Sequence, residues 1–100
     1  MTTEREQRLA DVRRRIDDLD RDVVRLLAHR GLLVAEAGRL KADAAAVRAP
    51  DRVEQVVTRV RGLATELGAD PVVVERTYRA MIGAFIELEL DVHRDAATRG

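Results

Sequence analysis

Two cationic residues, Arg30 and Lys41, have the side-chain types and the spacing of an anion-binding site. They are eleven residues apart, close to three turns of an α-helix, so both face one side of a helix and lie roughly 16 Å apart along its axis. Arg30 interrupts a row of apolar residues, and an unpaired buried arginine is costly in free energy. Arg30 therefore pairs either with a carboxylate of another helix or with an anionic ligand.

A carboxylate that could complete this site is Glu89. It follows Ile82 by seven residues and Phe85 by four, so it shares their apolar stripe on a helix. Glu89 is therefore either an ion-pair partner for Arg30 or Lys41, or a functional acid. Lys41 is the only lysine among 18 basic residues, which is also consistent with a surface position in an arginine-rich chain.

Arg13 and Arg52 are the remaining candidates. Arg52 comes one residue before the apolar face of a second helix, so its side chain can point toward the edge of a pocket. Arg13 belongs to a run of three arginines, and such a run is usually a solvated charge cluster. Arg13 lies 17 residues from Arg30, about 25 Å along a helix, and cannot reach the same pocket within its own helix. In an antiparallel dimer, Arg13 could instead complete the pocket of the partner chain.

Helices are the elements that must position these residues. Between residue 4 and about residue 42, apolar residues recur at alternating spacings of three and four, which is typical of a heptad seam. A second apolar pattern over residues 53–67 predicts a shorter helix that ends at Gly68. Asp70 and Pro71 are typical of a helix start, and a third helical pattern continues to Val92. The sequence predicts an all-α fold of three helices (long, medium, long) with an alanine-rich turn around residues 44–49. The seam consists of Leu9, Val12, Ile16, Leu19, Val23, Leu26, Arg30, Leu33, Ala37 and Leu40.

The length of the first helix predicts how the chain assembles. A helix of about 38 residues is roughly 57 Å long, whereas a compact globule of 100 residues has a radius of gyration of about 13 Å. The seam must therefore be covered by something outside a compact monomer, and the simplest partner is a second copy. We expect a single domain, residues 1–100, in an intertwined homodimeric helical bundle.

Composition excludes several classes of function. The 18 basic and 18 acidic residues balance, and no half of the chain is strongly basic, which argues against nucleic-acid binding. The chain has no cysteine, and His29 and His93 belong to no ligand-spaced set, so no metal site is predicted. No apolar run reaches the roughly 20 residues of a membrane helix, and the N-terminus lacks a signal-peptide core, so a cytoplasmic location is expected.

The same residues carry a resemblance to a known family. The segments LADVRRRIDDLDRDVVRLLAHR, LVAEAGRLK and APDRV resemble the all-α chorismate mutases over about residues 8–92. The stretch from KADAAAVRAPDRV to AMIGAFIELEL most resembles the bacterial branch that includes isochorismate-pyruvate lyases, which share the fold and the pocket. The resemblance implies a pericyclic rearrangement of a dicarboxylate, without nucleophile or cofactor.

Residue roles follow from the resemblance. It implies that Arg13 of the partner subunit binds one substrate carboxylate and that Arg30 binds the other. Lys41 matches the lysine that bonds the ether oxygen and a carboxylate, and Arg52 matches a pocket arginine. Glu89 stands where bacterial members usually have glutamine, the second donor to the ether oxygen. Arginine forks suit carboxylates because they bind them bidentately.

Two departures from the family pattern bear on the reaction. A carboxyl group donates a hydrogen bond only when it is protonated, so Glu89 must be neutral to take the glutamine's role. Val53 replaces a carboxylate that in many mutases contacts the ring hydroxyl, which leaves open whether the substrate is chorismate, isochorismate or an amino analogue of chorismate. The sequence favours a mutase over a lyase, and both over a non-catalytic helical dimer that the seam alone would permit.

Overall fold

A computed structural model describes residues 3–99 of the chain, except for the side chains of residues 97 and 99. The described residues form four helices: α1 (Glu4–Leu40), α2 (Ala44–Arg48), α3 (Pro50–Leu67) and α4 (Pro71–Arg99). The all-α prediction is confirmed, and α1, α3 and α4 are the three predicted helices. The addition is α2, a helix of five residues in the stretch that was expected to be a turn. No helix within residues 3–99 has the length and apolarity needed to span a membrane.

The chain divides into two compact units, Met1–Leu33 and Val34–Gly100. The described part of the first unit is a single stretch of α1. This helix begins with a capping box, in which Glu6 N–H donates to Thr3 Oγ1 (3.1 Å) and Thr3 N–H donates to Glu6 Oε2 (3.2 Å). The apolar side chains of its seam are exposed, with 46% of Val12 and 67% of Leu26 accessible to solvent as the extremes. The other exposed seam residues of this unit are Leu9, Ile16, Leu19, Val23 and Leu33.

Local capping sets the helix boundaries in the second unit. The side chain of Asp43 accepts from Ala46 N–H (2.8 Å) and begins α2. Ala49 then adopts φ +34° and ψ 63°, a left-handed conformation between α2 and α3 that is unusual for a residue with a Cβ. Gly68 ends α3 at φ +80°, as predicted from its residue type. Asp70 caps α4 by accepting from the N–H groups of the second and third residues after it (2.8 and 3.2 Å), which confirms the predicted helix start.

The hydrophobic core of the second unit lies mainly between α3 and α4. Its buried centre consists of Val56, Val60 and Ile82, and the half-buried residues packed against it are Val53, Val74, Tyr78 and Ile86. The short helix α2 packs on α4 and contributes Val47, which is 2% exposed. The apolar pattern predicted over residues 53–67 includes Leu63 and Leu67 as part of one packed face, but both are exposed. The buried stretch of α3 therefore runs only as far as Ala64.

A network of charged side chains also joins α3 to α4. The guanidinium of Arg79 donates two hydrogen bonds to Glu54 (2.8 and 2.9 Å) and a third to Glu75 (2.8 Å). Arg61 donates to the other oxygen of Glu75. Hydrogen bonding to Arg79 lowers the pKa of Glu54 and of Glu75, and the two carboxylates raise the pKa of Arg79. These groups are accessible to water, so the network fixes the register of the two helices more than it adds stability.

Candidate functional site

Lys41 and Glu89 meet where the end of α1 approaches α4. The Nζ atom of Lys41 donates a hydrogen bond to Oε1 of Glu89 over 2.7 Å, although the residues are 48 positions apart. Lys41 directly follows α1, and its own N–H still donates to the carbonyl of Ala37 (3.1 Å), so the backbone that carries it is held by the last helical turn. The structure therefore provides Lys41 as an ion-pair partner of Glu89.

This ion pair is largely withdrawn from water. The side chain of Glu89 is 8% exposed and that of Lys41 is 29% exposed. Removing one member of such a pair is expensive because it leaves the other charge without compensation in a poorly solvated place. Within the described residues, no buried side-chain nitrogen or oxygen lacks a hydrogen-bond partner. The pair is therefore part of the packed interior of the second unit, and the Lys41 side chain is its more accessible member.

Gly38 explains how α1 and α4 come close enough for this contact. It is the one described residue of α1 that is buried, and it lies three residues before Lys41 on the same side of the helix. A Cβ atom at this position would lie 3.3 Å from both Cγ and the carbonyl oxygen of Glu89, and 3.4 Å from its Cα. Sequence reasoning overlooked this residue. The available signal was a glycine inside a helix, where glycine is about 0.5–1 kcal/mol less favourable than alanine and so requires a reason.

The three arginines of the predicted site lie on α1 and α3. Arg13 and Arg30 belong to the first unit, where Arg13 is exposed and Arg30 is half-buried. Arg52 belongs to the second unit and is exposed in the first turn of α3. Within that unit, Glu89 accepts its hydrogen bond from Lys41 and not from Arg52. The structure thus joins Lys41 and Glu89 directly, and the roles of the arginines stay predictions.

Val53 faces the core. It is half-buried and packs against the apolar cluster between α3 and α4. An apolar side chain in this environment offers no donor or acceptor to a hydroxyl group. Lys41 can supply a cationic donor, which suits an oxygen atom that gains negative charge as a bond breaks, and Glu89 can add a second donor when its carboxyl group is protonated.

Comparison with known proteins agrees with the resemblance seen in the sequence. The family model of chorismate mutase type II matches residues 12–90 of the chain. The matched range contains all five predicted site residues, Arg13, Arg30, Lys41, Arg52 and Glu89. No curated protein is similar enough to this sequence to be matched with it.

Proposed function

The chain belongs to the chorismate mutase type II family, and from that premise we propose that it rearranges chorismate to prephenate. The observation that carries the proposal is the Lys41–Glu89 pair, a cationic donor and a carboxyl group 2.7 Å apart at a largely buried position. The rearrangement breaks the ether C–O bond while a C–C bond forms within the same molecule. It requires a protein that holds a compact conformer and stabilises charge on the ether oxygen.

Each candidate side chain has a role in this proposal. Lys41 donates a hydrogen bond to the ether oxygen and to a carboxylate of the substrate. Glu89, when protonated, is the second donor to the ether oxygen. Arg30 binds one substrate carboxylate, and Arg52 contributes at the edge of the pocket. An acceleration of about a millionfold would require roughly 8 kcal/mol of differential stabilisation, which positioning and a few charge-assisted hydrogen bonds can supply.

The proposed enzyme is a homodimer in which Arg13 comes from the partner chain. The support is the exposed seam of α1, because the described part of the first unit contains no second element that could cover it. Apolar stripes of this kind on one helix are buried in stable proteins by another helix. Arg13 is exposed on the same helix, so a dimer built on the seam would bring the guanidinium close to a second chain.

The first test is a direct assay of the purified protein with chorismate and, separately, isochorismate. We expect prephenate as the efficient product, separated by chromatography over about pH 5 to 8. Salicylate and pyruvate from isochorismate would instead make the protein a lyase. Val53 favours that second candidate function, because its apolar, half-buried side chain cannot hydrogen-bond the ring hydroxyl of chorismate. Turnover of neither substrate, nor of an amino analogue of chorismate, would refute an enzymatic role in this group.

The role of Glu89 is tested by the dependence of activity on pH. A deprotonated carboxylate accepts a hydrogen bond from Lys41 but cannot donate one to the substrate, so activity should fall as the pH rises. A Glu89→Gln variant carries a permanent N–H donor and should have a flatter profile. Parallel profiles for the two proteins would remove Glu89 from the ether-oxygen role.

The shared site is tested by mixing inactive variants. Arg13→Ala and Arg30→Ala chains should each be inactive as homodimers, because each dimer then lacks one carboxylate-binding group in both sites. A heterodimer of the two carries both lesions in one site and none in the other. Mixing should therefore restore activity in proportion to the heterodimer fraction. Confirmed heterodimers without any recovery would refute the contribution of Arg13 across the interface.

A further inference from the structure

We propose that Gly38 is a positioning residue of the site, whose missing side chain fixes the geometry between Lys41 and Glu89. The inference rests on the proposed function insofar as it predicts an effect on catalysis. Its structural part, the control of the hydrogen bond by a glycine on α1, holds or fails independently of the reaction. Gly38 itself contacts no reacting atom in this proposal and acts only through Glu89.

The first argument concerns which atoms of Glu89 lie against Gly38. Two of the three atoms nearest to a Cβ at position 38 are backbone atoms of Glu89, its carbonyl oxygen at 3.3 Å and its Cα at 3.4 Å. A flexible side chain could rotate away from an added methyl group, but the backbone of α4 can yield only if the helix shifts. Contacts of 3.0–3.4 Å require the neighbour to give by a few tenths of an ångström. An alanine at position 38 would therefore move the backbone that carries Glu89.

The second argument concerns Lys41. It follows Gly38 by three residues, so the glycine and the lysine lie side by side on one face at the end of α1. Gly38 contacts the base of Glu89, and Lys41 contacts its carboxyl oxygen at 2.7 Å. A shift of the Glu89 backbone also moves its carboxyl group relative to Lys41, because Gly38 and Lys41 are held by the same turn of backbone. The hydrogen bond should then lengthen or change its angle.

The chain offers matched controls for this substitution. Gly62 in α3 and Gly83 in α4 also lie inside helices, and a Cβ at either position would meet no atom within 4 Å beyond the adjoining residues and the backbone of its own helix. Replacing them with alanine should raise helix stability by about 0.5–1 kcal/mol each without displacing a neighbour. Gly38→Ala brings the same gain in helix propensity together with the displacement of Glu89. Gly83→Ala is the closest control because it changes the helix that carries Glu89.

The experiment compares steady-state kinetics and crystal structures of Gly38→Ala, Gly62→Ala and Gly83→Ala with those of the unaltered protein. We expect kcat of Gly38→Ala to fall on the order of tenfold, since a misplacement of 1 Å can cost roughly a hundredfold. KM should stay within about twofold, because binding of the carboxylates does not depend on Glu89. The two control variants should keep both constants. In a Glu89→Ala background, Gly38→Ala should cause little further loss of kcat, because the group through which it acts is gone.

The possible outcomes separate this inference from the proposed function. An unaltered protein without activity on chorismate or isochorismate would refute the function, while the crystal structure of Gly38→Ala still tests the positioning. A hydrogen bond between Lys41 Nζ and Glu89 Oε1 that keeps both its distance and its angle in that structure would overturn the role of Gly38, whatever the activity. Equal losses of kcat in the presence and absence of Glu89 would overturn it as well. A Gly38→Ala chain that fails to fold beside folded controls would also count against it, because the glycine would then be needed for the fold and not for one contact.

Discussion

Substitution of Leu19 by alanine should weaken the proposed dimer strongly. Leu19 lies in the middle of the exposed seam of α1 and is 63% accessible in the single chain. If the seam of a second copy covers this side chain, the solvent-exposed part of the leucine is buried on association. The alanine variant loses that burial but keeps the helix, because alanine has the best helix propensity.

The expected magnitude follows from the exposed fraction. Full burial of a leucine side chain is worth about 1.5–3 kcal/mol, so the 63% still exposed corresponds to about 1–2 kcal/mol per copy. A symmetric interface contains each residue twice, which gives about 2–4 kcal/mol per dimer. Since each 1.4 kcal/mol changes an equilibrium constant tenfold, the dissociation constant should rise roughly 30- to 700-fold.

Sedimentation equilibrium over a dilution series measures this change directly. The control is Leu32→Ala, which removes the same atoms from a side chain that is 72% exposed but lies outside the seam. Dimer dissociation should be nearly unaffected by the control. Specific activity should fall on dilution together with the dimer fraction, because each proposed site includes Arg13 of the other chain. Equal dissociation constants for the two variants, or an unaltered protein that is monomeric at all concentrations, would refute the reasoning.

Three further predictions concern the stability of the second unit. Arg79 lowers the pKa of Glu54 and Glu75 below the ordinary value of 4.5, so their contribution to folding stability is present above that pH and is lost as the pH falls through the lowered values. An Arg79→Gln variant should therefore lose less stability on acidification, measured by urea denaturation at each pH. An equal loss of stability on acidification in both proteins would contradict this. Ala49→Gly should raise the free energy of unfolding by about 1 kcal/mol, because glycine adopts the left-handed conformation without the strain of a Cβ. Thermal unfolding tests this, and a lower melting temperature of the variant would show that the turn is not strained. Asp70→Ala should lower stability by about 1 kcal/mol through loss of the two capping hydrogen bonds, whereas Asp70→Asn should be close to neutral.

Periodicity was sufficient to predict α1, α3 and α4, because each of these helices carries a sustained apolar pattern. The boundary at Gly68 and the start at Asp70 were also predictable, since both depend on the residue type at one position. The helix α2 was not predictable in this way, because five residues contain too few turns for a period to appear. The exposure of Leu63 and Leu67 could not be foreseen either, since it depends on how far the core extends along α3.

The candidate site was predictable only in part, for a related reason. The stripe shared by Ile82, Phe85 and Glu89 indicated a carboxylate facing inward, and Glu89 is buried in the structure. Spacing along one helix cannot identify a partner on another helix, so the pairing of Glu89 with Lys41 required tertiary contacts. The same limit hid Gly38, because a sequence shows that a glycine is present but not what lies against it.

Lys41 is the single lysine of an arginine-rich chain, and Gly38 is a glycine inside the long helix α1. Glu89 accounts for both. The absence of a side chain at Gly38 lets the backbone of Glu89 come within 3.3 Å of the position that a Cβ would occupy. At this close approach, the carboxyl group of Glu89 accepts a hydrogen bond from Lys41, which follows Gly38 by three residues. A compact ammonium can place its three donors on a carboxyl oxygen and on a neighbouring ligand atom at once, whereas a planar guanidinium needs room for a wide fork. In the proposed reaction, close packing of α1 on α4 and the choice of lysine therefore meet one requirement, since the donor must fit between Glu89 and the ether oxygen of the substrate.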